Sequence, residues 1–197
     1  MSKYKKLTIL LSSFILTILF SDSSISAPRG QDSLKIGTEA PPFVMRNLMT
    51  DEGVYLRDFT GKTLRNPWKK RERQVVVLSF WATWCEPCKN EIPILTKLTE
   101  NFKDQPVKFF LVNTMEKAEQ TEDSVRTIYK ARNYTLPCLI DPAIRYAGLY
   151  TVRGLPVLVV IDKSGNVRKI NRGYHENFEI ELEQLLKELV KEVEVIK

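Results

Sequence analysis

Two cysteines separated by two residues, in the order Trp84-Cys85-Glu86-Pro87-Cys88, are the side chains of this sequence best suited to covalent chemistry. A thiol pair at this spacing, placed between a strand and a helix, is typical of a redox motif. Cys85 would stand at the helix N-terminus, where unpaired N–H groups and the helix dipole favour the thiolate that attacks disulfides. Cys88, one turn later, can close the ring. The pair therefore predicts thiol–disulfide exchange.

Two other uses of a cysteine pair compete with redox chemistry. A structural disulfide between residues three apart closes a very small loop and adds little stability. A zinc site needs four ligands, and the remaining candidates, Cys138 and His175, lie on distant segments. Redox chemistry is therefore the favoured interpretation, with no metal and no cofactor beyond the redox-active disulfide. We expect Cys138 to be a buried, inert thiol, and an odd reactive thiol is the alternative.

The elements that must position the pair alternate between strand and helix. Val75–Trp81 is a continuous β-branched and aromatic run, and apolar residues recur at helical spacing from Glu86 to Phe102. Further strands are predicted at Val107–Val112, Leu136–Ile140, Pro156–Ile161 and Val167–Ile170, and further helices at Ser124–Arg132, Ile144–Tyr150 and Phe178–Leu189. The segment Asp162–Asn166 predicts a hairpin turn. This order predicts an α/β fold with a central mixed β-sheet flanked by helices on both faces.

Three segments carry a family resemblance. The sequence FWATWCEPCKNEIP, from Phe80 to Pro93, resembles the active-site signature of the TlpA/ResA/DsbE group of exported thioredoxin-fold proteins. The segment from Gly37 to Phe43 resembles the N-terminal motif of that group and of peroxiredoxins. Gly154-Leu155-Pro156, followed by an apolar run, resembles the segment that carries the family's cis-proline. The resemblance covers residues 36–190 and implies a thioredoxin-like fold.

The resemblance also implies roles for individual residues. Cys85 would be the attacking thiol and Cys88 the resolving one. Pro156 would be the cis-proline that faces the disulfide, and the backbone at Leu155 would pair with a substrate strand. Glu91 matches an acid found three residues after the second cysteine in this group. If that carboxyl is buried, its pKa rises and it can carry a proton near neutral pH.

Other positions around the motif refine these expectations. Ordinary thioredoxins have a buried Asp six residues before the first cysteine, where this chain has Ser79, so Glu91 is the remaining proton carrier. Glu86 beside Cys85 should oppose thiolate formation, which favours a reductant or an intermediate exchanger over a strong oxidant. Pro87 is tolerated in the first helical turn, and Trp84 is expected in a rim that contacts the partner.

The N-terminal segment, residues 1–27, has the pattern of a secretory signal. Lys3, Lys5 and Lys6 precede an apolar run from Leu7 to Phe20, which is too short and too rich in Ser and Thr for a good membrane span. An uncleaved anchor is the alternative. We therefore divide the chain into residues 1–27, a flexible lead-in at 28–35 and a thioredoxin-like domain at 36–197. Either interpretation places the domain in the periplasm or otherwise outside the cytoplasm.

The chain is mildly basic, and this charge balance gives no argument for binding to nucleic acid. The chain has 197 residues, with 30 Lys and Arg against 24 Asp and Glu, and residues 1–27 contribute three of the lysines and one aspartate. The segment from Gly61 to Arg73, GKTLRNPWKKRER, is strongly basic. Most such runs are solvated loops. The alternative is a docking patch with Trp68 as its apolar anchor, suited to an acidic partner or an anionic membrane surface.

The resemblance implies protein disulfides as substrates, apocytochrome c as the favoured partner, and an upstream membrane thiol reductant. Two other functions remain open. A thiol peroxidase shares the fold. Peroxiredoxins resemble one another in a Pro-x-x-x-Thr-x-x-Cys pattern, and counting back from Cys85 this chain has Ala82 at the Thr position and Leu78 at the Pro position. A Sco-type copper chaperone would need His175 to reach the cysteines, whose spacing is one residue shorter than in that group.

Overall fold

In the computed structural model, which describes residues 34–68 and 72–192, the run Val75–Trp81 forms strand β3 and is buried along its whole length. Seven strands are present in these residues: β1 Val44–Asn47, β2 Gly53–Tyr55, β3, β4 Val107–Asn113, β5 Cys138–Ile140, β6 Val157–Ile161 and β7 Val167–Arg172. The helices there are α1 Glu86–Asn101, α2 Glu122–Ala131, α3 Arg145–Leu149 and α4 Phe178–Lys191. Short 3₁₀ turns cover Leu56–Asp58 and Pro142–Ile144.

The strands form one sheet in the order β2-β1-β5-β4-β3-β6-β7. Strands β3, β4 and β5 run parallel, whereas β6 is antiparallel to β3 and β7 is antiparallel to β6. The predicted mixed sheet is therefore confirmed. The hairpin between β6 and β7 turns through Asp162, whose carboxylate accepts hydrogen bonds from the N–H groups of Ser164 and Asn166.

Alternation along β3 divides the core into two layers. Val75, Val77 and Trp81 face a layer that α1, α2 and α4 cover. Val76, Leu78 and Phe80 face the second layer, which α3 and the N-terminal part of the domain cover. Helices therefore lie on both faces of the sheet, as predicted. The redox motif follows β3 directly, so a strand that is buried along its whole length fixes the position of the motif.

The antiparallel hairpin of β1 and β2 is the main element that sequence analysis did not predict. Its strands have four and three residues, too few for a pattern of alternation to stand out. The hairpin extends the sheet because Arg46 and Asn47 pair with Ile140 and Leu139 of β5. It thus forms one edge of the sheet.

The predicted signal or anchor at residues 1–27 lies outside the described residues, as does most of the predicted lead-in. Among residues 34–68 and 72–192, no helix has the length and hydrophobicity needed to cross a bilayer.

Candidate active site

Cys85 caps the N-terminus of α1. Its backbone is extended, with φ −79° and ψ 101°, and its Sγ accepts a hydrogen bond from the N–H of Cys88 at 3.3 Å. Pro87 stands in the first helical turn, where a missing N–H costs no helical hydrogen bond. Cys85 and Cys88 are joined in a disulfide with their Cα atoms 5.4 Å apart. The two cysteines are only 2% and 1% exposed.

Exposed side chains surround this buried disulfide. Trp84 is 44% exposed, and its indole N–H donates to the carbonyl of Met115 at 2.9 Å. Glu86 and Pro87 are also exposed. Lys89 pairs with Glu86, and that hydrogen bond holds the pKa of the Glu86 carboxyl below its ordinary value. The ammonium of Lys89 therefore offsets part of the negative charge that was expected to oppose thiolate formation at Cys85.

Glu91 lies inside the protein, one helical turn beyond Cys88, and is 1% exposed. Its Oε1 accepts a hydrogen bond of 2.6 Å from the Ser79 hydroxyl, while its buried Oε2 has no hydrogen-bond partner among the described residues. Burial raises the pKa of Glu91 to about 7, and the Ser79 hydrogen bond opposes that rise. The carboxyl can therefore gain and release a proton near neutral pH.

Ser79 is a site residue whose role sequence analysis missed. It was judged only for its inability to carry a proton, and that judgement stands because a serine does not titrate near neutral pH. Its position on β3 supplied the overlooked signal, since Val77, Ser79 and Trp81 share the face that packs against α1. A hydroxyl on that face is placed to bond a buried group on the helix.

Leu155 and Pro156 lie at the same end of the sheet as the disulfide. The peptide bond between them is cis. Phe80 pairs with Val157, so Pro156 comes alongside the last residue of β3. Pro156 is buried and its carbonyl accepts from the N–H of Gly173 at 2.9 Å, while Leu155 packs against the core layer that contains both cysteines. Their predicted roles toward a partner remain predictions.

Glu116, which sequence analysis did not select, holds the loop before Cys85. Its carboxylate accepts from the N–H and the hydroxyl of Thr83, at 2.8 and 2.7 Å, and from the side-chain amide of Asn113 at 2.6 Å. A few residues away, the N–H of Thr114 donates to the carbonyl of Trp81. The segment after β4 thus fixes the loop that presents Trp84 and the first cysteine.

The remaining candidates lie apart from this arrangement. Cys138 is buried and free, and burial raises the pKa of its thiol to about 12, in line with the inert thiol that was expected. His175 lies with Nε2 3.1 Å from Asn171 Oδ1 and its ring edge against Phe178. Across the described residues, no group of three or more His, Cys, Asp or Glu side chains could hold a metal ion.

A redox disulfide that caps a helix at the end of a buried parallel strand defines a class, the thioredoxin-fold thiol–disulfide oxidoreductases. Sequence comparison then gives the family: the chain belongs to the AhpC/TSA family, which it matches over residues 36–170, and to the TlpA/ResA/DsbE-like group that was predicted. The thiol–disulfide oxidoreductase ResA of Bacillus cereus is 31% identical, over 83% of this chain and 87% of ResA.

Solved structures agree with this assignment. A Chlorobium tepidum protein described as thiol:disulfide interchange protein DsbE superposes with a TM-score of 0.67 and 25% identity, over 80% of this chain and 99% of that one. The exposed lipoprotein thioredoxin Etrx1 of Streptococcus pneumoniae superposes with a TM-score of 0.60 and 30% identity, over 76% of this chain and all of the other. This protein is therefore an oxidoreductase of the thiol–disulfide class.

Proposed function

We propose that this protein reduces disulfides in protein partners outside the cytoplasm, with apocytochrome c as the favoured substrate. The observation that carries the proposal is the buried Glu91, one turn beyond Cys88, whose pKa of about 7 suits proton transfer to and from the resolving thiol. A reductant needs such a carrier because two thiols must lose protons as the disulfide forms. Resemblance to the ResA and DsbE group supports the direction of electron transfer, from this protein to its partner, and the choice of apocytochrome c as that partner.

The reaction would proceed in two exchanges. The Cys85 thiolate attacks one sulfur of the partner's disulfide, forming a mixed disulfide and releasing the partner's other sulfur as a thiolate. Cys88 gives its proton to Glu91 and attacks the Sγ of Cys85. Glu91 passes this proton to the departing partner sulfur, and the partner's other thiolate takes a proton from water, which replaces the one that Cys85 lost when it ionised. The partner thus leaves as a dithiol, and the Cys85–Cys88 disulfide remains. A membrane thiol reductant upstream would then return two electrons and two protons to the pair.

Three features support apocytochrome c as the partner and a location outside the cytoplasm. The haem-attachment motif of apocytochrome c is itself a CxxCH segment, which must be reduced before haem is joined. The pair in this chain lacks a histidine between its cysteines, unlike strong oxidants of the DsbA type. The pattern of residues 1–27 suits export to the periplasm or another extracytoplasmic site, with N-terminal or peripheral attachment to the membrane as part of the proposal.

The reduction potential of the Cys85–Cys88 pair tests the direction of electron flow. Residues 28–197 would be equilibrated with glutathione and dithiothreitol buffers, and the redox state read by thiol alkylation. A potential near ~−270 mV, the value of thioredoxin, or lower supports a reductant. A potential near ~−120 mV, the value of DsbA, would show an oxidant and overturn the apocytochrome proposal.

The partner is tested with a synthetic peptide that contains an oxidised CxxCH segment. Reduced protein should convert it to the dithiol with one equivalent of Cys85–Cys88 disulfide formed. A peptide with the same two cysteines placed ten residues apart serves as the control for general disulfide reactivity. Equal rates with both peptides would remove the support for apocytochrome c as the favoured partner.

The two alternative functions have direct assays. Catalytic consumption of hydrogen peroxide by the reduced protein would favour a thiol peroxidase, although Leu78 and Ala82 replace the residues of the peroxiredoxin pattern. Stoichiometric copper binding that is lost in a His175→Ala variant would favour a Sco-type chaperone. We expect neither result.

A further inference from the structure

A pocket of about 460 Å³ opens on the sheet face opposite α1, beside the hairpin of β1 and β2. Three arginines and three aromatic residues contribute to its wall: Arg57, Arg65, Arg145, Phe43, Tyr55 and Tyr146. No acidic residue of the described chain lines it. We call it the arginine pocket. Its volume lies in the range of ligand-binding pockets, and its charge is of one sign.

Two of the three guanidinium groups are fixed by carboxylates that lie outside the wall. Arg57 pairs with Glu39, and Arg65 donates through Nε to Asp58 at 2.6 Å. The guanidinium carbon of Arg65 also lies 3.9 Å from the centre of the Tyr55 ring, so stacking holds it in place. These contacts order two cations at the pocket in advance of any ligand.

Arg145 is the cation that is not neutralised. Its side chain is exposed and makes no ion pair within the described part of the chain, and its guanidinium carbon lies 5.6 Å from the centre of the Tyr146 ring. A planar guanidinium presents paired N–H donors that match the two oxygens of a carboxylate. Because Glu39 and Asp58 already pair with Arg57 and Arg65, Arg145 contributes the uncompensated positive charge of the wall and favours an anion beside it.

Apart from Thr63, the rest of the wall is apolar or aromatic. Pro42, Phe43, Val44 and Leu64 contribute to it, so the ligand that fits best combines an anionic group with an apolar one. Thr63, Leu64 and Arg65 of the basic segment that begins at Gly61 contribute to the wall. In the alternative interpretation of this segment, Trp68 was the apolar anchor of a docking patch, and that role stays a prediction. Trp68 is half-buried, and its indole N–H donates to the carbonyl of Asp58 at 3.0 Å.

We propose that the arginine pocket docks an acidic segment of a protein partner, with one carboxylate on Arg145 and an adjacent apolar side chain against Phe43 and Leu64. A recessed wall with fixed cations suits side chains that project from a peptide. Attraction to an anionic bilayer relies on clusters of about 4–8 Lys and Arg side chains, whereas the pocket wall has three arginines, of which Arg57 and Arg65 are already paired. The pocket is built from residues other than the redox pair, so this proposal stands independently of the proposed function.

The test uses fluorescence anisotropy with the oxidised protein and a fluorescein-labelled peptide of alternating Glu and Phe. A peptide with Gln in place of each Glu is the control ligand. We expect saturable binding of the acidic peptide, at least ten-fold weaker binding of the Gln peptide, and weakening as salt is added. An Arg145→Gln variant should lower the affinity by about ten-fold, the effect of losing one charge-assisted hydrogen-bonded pair.

The matched control is Arg153→Gln, which removes the same charge from an exposed position outside the pocket wall. It should change the affinity by less than about two-fold. Equal binding by wild type and Arg145→Gln, or equal binding of the two peptides, would overturn the proposal. So would sedimentation with phosphatidylglycerol vesicles that depends on Arg145 while the acidic peptide does not bind, because that result would assign the pocket to a membrane surface.

Discussion

The hydrogen bond between Ser79 and Glu91 joins the central strand to the helix that carries the redox pair. It stabilises the ionised carboxylate, whereas burial stabilises the protonated form, and the second effect is the larger one. The two effects together leave the Glu91 pKa near the middle of the physiological range. A buried carboxyl without this partner would hold its proton more tightly.

A Glu91→Gln variant tests whether this carboxyl carries the proton of the resolving thiol. We expect the exchange rate at pH 7 to fall by about 100-fold, because an amide cannot accept the proton. The rate–pH profile should also lose its rise through pH 7. Stopped-flow tryptophan fluorescence between pH 5 and pH 9 measures both. A Glu100→Gln variant, which changes an exposed acid on the same helix, should leave the profile unchanged.

A Ser79→Ala variant tests the opposing hydrogen bond. Removal of the hydroxyl takes away the hydrogen bond that, among the described residues, lowers the Glu91 pKa, so that pKa should rise above 7. The midpoint of the rate–pH profile should move upward by about one unit. Carbon-13 NMR titration of the labelled glutamate carboxyl gives the pKa directly. A midpoint that stays in place would show that the hydroxyl does not act on the reacting carboxyl.

Among single residues, the sequence identified more readily those that could react than those that hold them in place. Cys85 and Cys88 stand out because their spacing carries the signal, and the family resemblance adds Glu91. Ser79 and Glu116 act through contacts between segments, 12 and 33 residues apart in sequence for the two hydrogen bonds concerned. Alternation along β3 indicates which face Ser79 occupies but not its partner on α1, and no local pattern marks Glu116, so the folded arrangement is needed to reveal these contacts.

Among the elements, the segment after β4 controls the approach to the disulfide. Glu116 accepts three hydrogen bonds and Met115 accepts one from the Trp84 indole. Thr114 is fixed in turn, because its hydroxyl donates to Asp141, which also accepts from the N–H groups at the start of α3. The loop before the first cysteine is thus connected to both β4 and β5.

A Glu116→Gln variant should loosen this loop, since an amide offers one acceptor oxygen where the carboxylate offers two. We expect the amide proton of Thr83 to exchange about ten-fold faster, the result of one lost charged hydrogen bond. Hydrogen exchange followed by NMR measures it. The matched control is Glu122→Gln, which alters a nearby carboxylate paired with Arg46 and Arg126 instead of the loop. Similar acceleration in both variants would contradict a specific role for Glu116.

Elements with a clear apolar pattern were predicted closely, including the short helix expected at Ile144–Tyr150 and observed at Arg145–Leu149. The final helix, expected at Phe178–Leu189, is observed at Phe178–Lys191. The hairpin of β1 and β2 was missed because Arg46 and Gly53 interrupt its few apolar residues, and pairing with β5 is what orders it. Its position matters for the arginine pocket, to which Val44 and Tyr55 contribute. Tertiary pairing therefore builds the part of the molecule that local sequence leaves undefined.

For the whole molecule, the buried carboxyl links the reaction to stability. The described residues belong to one compact unit, Asp32–Lys197, so local burial of an acid affects the unfolding of the domain. Glu91 has a pKa of about 7 when folded and the ordinary value, 4.5, as a reference for the unfolded chain. The folded state therefore binds its proton more tightly. This proton contributes stability that is fully present below pH 4.5 and is lost as the pH rises through 7.

Comparison of wild type with Glu91→Gln isolates this contribution. The free energy of unfolding of the wild type should fall relative to the variant between pH 4.5 and pH 8, by about 3 kcal/mol at most. Urea titrations of both oxidised proteins at a series of pH values measure the difference between their free energies of unfolding. The test is how this difference changes with pH, because the amide alters the hydrogen bonding at every pH and shifts the difference by a constant amount. If the free energies of the two proteins change with pH in parallel, the carboxyl has no raised pKa in the folded state. If the wild type loses stability relative to the variant as the pH rises, the buried carboxyl near the redox disulfide lowers the stability of the protein at neutral pH.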